Sequence, residues 1–122
     1  MNYSKQRELI LTIIQNTRSH PTAEAIFAKA QESMPSIGMA TIYRNLNLLV
    51  DTGKIKRISI PNEVDRYDDA RIDHDHALCI KCGKMFDVFI SSDKKDALLI
   101  GEELPCDFQI KEANFMIYGY MW

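Results

Sequence analysis

The residues best suited to chemistry crowd into one stretch, 66–87, which reads RYDDARIDHDHALCIKCGKMFD. It holds two of the three histidines and two of the three cysteines of the chain, among a dense set of carboxylates. His74 and His76 stand two apart, the spacing that puts two side chains on one face of a β-strand. Cys79 and Cys82 have the C-x2-C spacing of half a zinc knuckle, followed by Gly83, a residue such a turn favours. With the turn at 80–83, Asp87 returns opposite His76 and shares the face of both histidines, while Cys79 has the opposite parity. The spacing therefore predicts two sites, a histidine–carboxylate site and a separate thiol pair. Two histidines and a carboxylate also match the facial triad of non-haem iron enzymes. That reading requires a substrate pocket and leaves the front half of the chain without a purpose. A small zinc-binding interaction module is a third reading, and it requires tight zinc at Cys79 and Cys82.

The elements around this stretch form two groups. Ser4 caps a first helix whose residues 7–15 present Leu9, Ile10, Ile13 and Ile14 at helical spacing. Pro21 disfavours the α region for His20, and Thr22 caps a second helix with Glu24 in its first turn. Ala23, Ile26, Phe27, Ala30 and Met34 are its inward stripe. A third helix over 39–51 buries Met39, Ile42, Leu46, Leu49 and Val50, and turns Thr41, Tyr43, Arg44, Asn45 and Asn47 outward. A hairpin follows, with Lys54, Lys56 and Arg57 on its first strand and a turn at Pro61-Asn62-Glu63. Three short helices and such a hairpin make a winged helix-turn-helix. In that fold the third helix enters the major groove, with Thr41, Tyr43, Arg44 and Asn45 facing the bases. Arg44 is the candidate for a bidentate guanine contact, and Lys54, Lys56 and Arg57 are the phosphate contacts.

The second group begins at 74. Residues 74–80 and 85–90 read as paired strands. Ser91 or Ser92 caps a short helix over 93–103, with Ala97, Leu98 and Leu99 inward. Residues 107–118 read as a long last strand, with a bulge or bend between Ile110 and Phe115. Some fifty residues bury little core alone, so pairing with a second copy is expected. The class is thus α+β, with a DNA-binding domain at 1–69, a hinge at 70–73 and a small α/β domain at 74–122.

At 122 residues, with 46% apolar residues and a net charge of −2, the chain has enough for a core and no bulk basicity. Residues 1–72 hold ten Lys/Arg against eight Asp/Glu, while 73–122 hold five against nine. A mildly basic front half suits a DNA-contacting module. No apolar run approaches the ~18 residues of a membrane span, and the first residues lack the apolar region of a secretory signal. Three cysteines with a knuckle spacing fit a reducing compartment. A cytoplasmic protein is expected.

HPTAEAIF at 20–27, ATIYRNLNLL at 40–49, RYD at 66–68, HDHALCIKCGKMFDV at 74–88 and YG at 118–119 together resemble the ferric uptake regulator (Fur) family. The resemblance runs in order over nearly the whole chain. It implies a dimeric, metal-dependent repressor that binds a pseudo-palindromic operator, with a winged helix followed by an α/β dimerisation domain. The family's regulatory metal ligands fall on His20, Asp68, His74, His76 and Asp87. Three imidazoles and two carboxylates suit Fe(II) or Mn(II), with zinc a competent occupant in vitro. A metal there clamps the hinge and sets the separation of the two recognition helices, which links metal and DNA binding reciprocally.

An aspartate at the position of Asp87 is similar to the peroxide-responsive (PerR) branch of the family, where iron-sensing members usually carry glutamate. In that branch Fe(II) reacts with hydrogen peroxide, a ligand histidine is oxidised, and DNA is released. His20 and His74 are the corresponding targets, so the implied protein is a sensor and not an enzyme. The last strand also lacks the histidines that Fur proteins often place there. Members of the family usually hold a structural zinc with two C-x2-C pairs, the second just after the YG. Here Tyr120-Met121-Trp122 stands at that place. Cys106 is expected to serve as a small apolar residue. Cys79 and Cys82 are then a vestige of that site that binds zinc weakly, binds it with foreign ligands or stays as free thiols, with structural zinc expected absent.

Overall fold

The computed structural model describes residues 3–17, 19–71, 74–99, 104–111 and 113–121. They fall into two compact units, residues 1–72 and 73–122. The expected hinge residues Ile72 and Asp73 lie outside the described residues.

The first unit consists of helices α1 (Tyr3–Gln15), α2 (Ala23–Ser33) and α3 (Met39–Asp51), then strands β1 (Ile55–Ile58) and β2 (Arg66–Asp69). Helix α1 already includes Tyr3, so Ser4 lies inside its first turn and does not cap it. Thr22 does cap α2, its hydroxyl accepting the Ala25 N–H at 3.2 Å. The core follows helical spacing: Ile10 and Ile14 from α1, Ile26 and Ala30 from α2, and Ile42, Leu46 and Leu49 from α3. Ile55 and Tyr67 close it from the antiparallel hairpin, in which Arg57 pairs with Tyr67 and Lys56 with Asp68. Helix α3 stops where Gly53 takes φ 76°, a left-handed conformation that costs glycine little.

The second unit is a three-stranded sheet in the order β4-β3-β5, with helix α4 (Ser92–Leu99) on the crossover. Strand β3 (Asp75–Cys79) runs antiparallel to β4 (Met85–Val88) and parallel to β5 (Met116–Gly119). The register sets His76 against Asp87, as the turn at 80–83 predicts. Gly83 takes φ 76° there.

Two expectations for this unit are corrected. The last strand covers only Met116–Gly119 and not 107–118. Its partner β3 is five residues long and its first ladder pair is His76 with Met116, so the described residues among 107–114 have no strand to lie against. Nor does α4 turn its three apolar residues inward: Leu98 is 60% exposed and Ala97 is exposed, while Lys95 and Leu99 are half-buried. The rotation of α4 is set by a polar anchor. The Lys95 ammonium donates to Ala113 O at 2.7 Å and pairs with the buried Asp75 carboxylate at 2.9 Å. Asp75 also accepts the Phe115 N–H at 2.8 Å, which ties α4, β3 and the approach to β5 together. Residues 100–103 of the expected helix lie outside the described residues.

Candidate metal centre and nucleic-acid face

In the first unit, His20 and Asp68 are brought together by backbone pairing. The Tyr67 N–H donates to Pro21 O at 2.9 Å, and Thr22 bridges Arg66, so the HPT segment lies along β2. His20 itself sits at φ 55°, outside the right-handed helix as Pro21 demands, but in a left-handed conformation that spacing alone does not reveal. Such backbone strain in a non-glycine residue recurs at functional positions. The side chains are buried, with His20 Nε2 3.6 Å from Asp68 Oδ2.

In the second unit, period-two alternation puts His74 and His76 on one face of β3, and the register brings Asp87 to the same face. Asp87 Oδ1 lies 3.2 Å from His74 Nε2 and 4.0 Å from His76 Nε2. The two imidazole rings meet edge to face at 4.7 Å, and the Phe89 ring lies 5.6 Å from that of His74. One ligand atom from each of the three residues lies within 4.8 Å of the others. Two imidazole nitrogens and a carboxylate oxygen at this separation form an N2O donor set for a borderline divalent cation, and the buried histidines limit its hydration. The residues present thus fit a divalent metal.

The thiols are separate from this set. Cys79 is buried and Cys82 and Cys106 are exposed, all three as free thiols. Cys106 lies in a turn ahead of the last strand, as expected, and is exposed there. Among the described residues no cysteine joins a cluster of three or more metal-ligand side chains. The Cys79 thiol is lowered from 9.0 to about 7, chiefly because the Cys82 and Met121 amides and the Cys82 side chain hydrogen-bond to it.

On α3, Tyr43 and Arg44 are exposed and Thr41 is half-buried. The Arg44 guanidinium stacks 5.3 Å above the Tyr3 ring and reaches Thr41 Oγ1 at 3.5 Å. Asn45 is a correction: it is buried, and its amide donates to Thr41 O at 2.9 Å, one turn back, so it does not face a groove. A polar residue satisfied inside its own helix can sit in a core, which periodicity of polar residues does not disclose. Lys54 is exposed and Lys56 half-buried. Arg57 donates to Asn47 Oδ1 on α3, lies 3.8 Å from Asp65 and stacks 5.9 Å over Tyr67. It ties the hairpin to α3. Sequence reasoning missed Tyr3 and Asp75, since an aromatic in the first turn of a helix and an acid between two histidines carry no pattern of their own.

No helix among the described residues is long and apolar enough to cross a membrane. The ferric uptake regulator family model matches residues 1–118. The peroxide-responsive repressor PerR of Staphylococcus epidermidis is 32% identical over 115 residues, covering 93% of this chain and 75% of its own. The peroxide operon regulator of Bacillus subtilis is 35% identical over 82 residues, 67% of this chain and 57% of its own. Among solved structures, the Campylobacter jejuni peroxide stress regulator aligns with TM-score 0.80 at 26% identity, over 98% of this chain and 88% of its own. The ferric uptake regulator of Francisella tularensis with iron aligns with TM-score 0.81 at 25% identity, over 99% and 92%. With the family model matched over all but the last four residues, this chain belongs to the ferric uptake regulator family.

Proposed function

We propose that this protein is a cytoplasmic, metal-dependent repressor that binds a pseudo-palindromic DNA operator as a homodimer and senses peroxide, acting as a sensor and not as an enzyme. The observation that carries this reading is the convergence of His74 and His76 on Asp87, an aspartate, in a chain similar to proteins named peroxide-responsive repressors. On this reading His20 and Asp68 complete a five-residue ligand set with His74, His76 and Asp87 for one Fe(II) or Mn(II). The Phe89 ring lies beside that of His74. Fe(II) held by these residues would supply the reduction of hydrogen peroxide, with one oxygen passing to the ring of His20 or His74 and the other leaving as water. An oxidised imidazole is a poorer ligand, so the metal leaves and the operator is released.

Thr41, Tyr43 and Arg44 face the major groove, with Arg44 held by Tyr3 for a guanine edge. Lys54 and Lys56 meet phosphate. Arg57 orients the hairpin against α3 through Asn47.

The test is mass spectrometry of the Fe(II)-loaded protein before and after a low dose of hydrogen peroxide. A gain of one oxygen at His20 or His74, absent from the Mn(II) form, is the expected result. Intact histidines, with iron-dependent operator binding retained, assign the protein to iron sensing instead. His74→Ala and Asp87→Ala are each expected to weaken metal-dependent operator binding on the order of 100-fold or more, since even outer-shell changes cost 10–100-fold. The dimer stays folded in both. An unchanged metal dependence in a gel-shift titration removes these residues from the site.

A further inference from the structure

We propose that Lys95 is a positioning residue for the metal centre: from α4 it fixes the strand segment between His74 and His76, and so aims both imidazoles. The inference rests on the reading of His74, His76 and Asp87 as metal ligands. Asp75 stands between the two histidines, and alternation along β3 sends its side chain to the face opposite theirs. That residue is 1% exposed. The Lys95 ammonium lies 3.2 Å from its Oδ1 and 2.9 Å from its Oδ2, and donates to Ala113 O at 2.7 Å.

The same carboxylate leads on to His76. The Phe115 N–H donates to Asp75 Oδ1 at 2.8 Å, and the His76 N–H donates to Phe115 O at 3.2 Å. Phe115 thus holds the side chain of Asp75 and the backbone of His76 at once. Lys95 reaches this residue as well, its ammonium lying 5.7 Å over the Phe115 ring. Asp87 belongs to the neighbouring strand, in register with His76. Rotation of β3 about its own axis would swing both histidines away from Asp87. A carboxylate pinned on the opposite face resists that rotation, because turning the strand breaks its bonds to Lys95 and Phe115.

Holding α4 in place does not by itself call for charge. An apolar pair of similar volume serves stability as well or better, since burying two charges costs about what their attraction returns. Apolar contact tolerates sliding, whereas an ammonium shared by Asp75 Oδ1, Asp75 Oδ2 and Ala113 O has one position. Fixed outer partners of this kind orient metal ligands, and losing one typically costs about 10–100-fold in affinity.

The experiment compares the full chain with Lys95→Met, Asp75→Asn/Lys95→Met and His74→Ala. Mn(II) affinity is read by calorimetric titration and stability by thermal melts. Deuterium exchange at the His76 amide is read in the metal-free protein. Lys95→Met is expected to bind Mn(II) about 10-fold or more weakly and to melt lower. The double variant leaves no charge buried and keeps an acceptor for the Phe115 N–H, so its melting midpoint returns towards the parent. Its Mn(II) affinity is expected to stay about 10-fold down, and its His76 amide to exchange faster than in the parent. Affinity that recovers together with the midpoint overturns the proposal, because Lys95 then serves the fold alone. So does parental His76 exchange in the double variant. Parental affinity in Lys95→Met, with affinity lost in His74→Ala, overturns the positioning role and leaves the metal site standing. Parental affinity in His74→Ala removes the site itself, and the positioning role with it.

Discussion

In the first unit Ile10, Ile14, Ile26, Ile42, Leu46 and Leu49 are almost wholly withdrawn from solvent. In the second, among the described residues, only Leu78, Cys79 and Met85 are buried apolar groups, and Phe89, Leu98, Phe108, Ile110 and Ile117 remain exposed. The first unit is held by a core that its helices supply themselves. The second depends on a polar anchor, Asp75 with Lys95, and on three short strands. A unit of that size buries too little apolar surface to be self-sufficient, which is the physical reason the homodimer belongs to the functional reading. The contrast also divides the labour: a rigid helical body presents α3, and a less self-sufficient sheet carries His74, His76 and Asp87.

Leu46→Ala is the strongest probe of that contrast. Leu46 has no solvent exposure, so its loss is expected to cost about 4 kcal/mol, the range of buried leucine truncations that leave a cavity. Leu98→Ala, at 60% exposure, is expected to cost less than about 0.5 kcal/mol in the monomer. Urea unfolding of both variants, each at two protein concentrations, reads the difference. Should Leu98→Ala cost several kcal/mol at high concentration only, a second copy covers that helix in solution. A large concentration-independent loss at Leu98 would break the contrast.

Lys95→Ala examines the other half. It leaves the Asp75 carboxylate, 1% exposed, with the Phe115 N–H and no cation. Removing one partner of a buried pair costs about 3 kcal/mol or somewhat more, because the remaining charge is uncompensated. The double variant D75N/K95M is expected to recover most of that loss, since the asparagine oxygen still accepts from Phe115 and no charge is left buried. Circular dichroism melts of the single and double variants check this. A Lys95→Ala protein as stable as its parent would mean that α4 docks by apolar contact after all.

The helical unit was largely legible in the sequence, since Ile42, Leu46 and Leu49 recur at helical spacing and the Met39–Asp51 helix is bounded where pattern and glycine place it. The set of His74, His76 and Asp87 was legible too, because a tight turn marked by Cys82-Gly83 fixes the register between two strands. What escaped depends on partners far away in the chain. The position of β5 depends on how long β3 is, and the rotation of α4 depends on an acid twenty residues before Lys95. The burial of Asn45 depends on its own amide finding Thr41 O, and the backbone of His20 on the pairing of Pro21 with Tyr67. None of these leaves a periodic trace.

Thr22→Ala asks for the smallest effect and places it most finely. The Thr22 hydroxyl satisfies the Ala25 N–H at the start of α2, and losing such a cap costs about 1 kcal/mol. That loss falls on the unit with the larger core, which can absorb it without unfolding. Thr22 also bridges Arg66, two residues after His20 and two before Asp68, so fraying there loosens the approach of His20 Nε2 to Asp68 Oδ2. The expected outcome is a small drop in unfolding midpoint with a weaker Mn(II) affinity in calorimetric titration, while Thr22→Ser restores both. A Thr22→Ala protein with the lower midpoint and unchanged affinity would show that His20 is held by the Tyr67–Pro21 backbone bond alone.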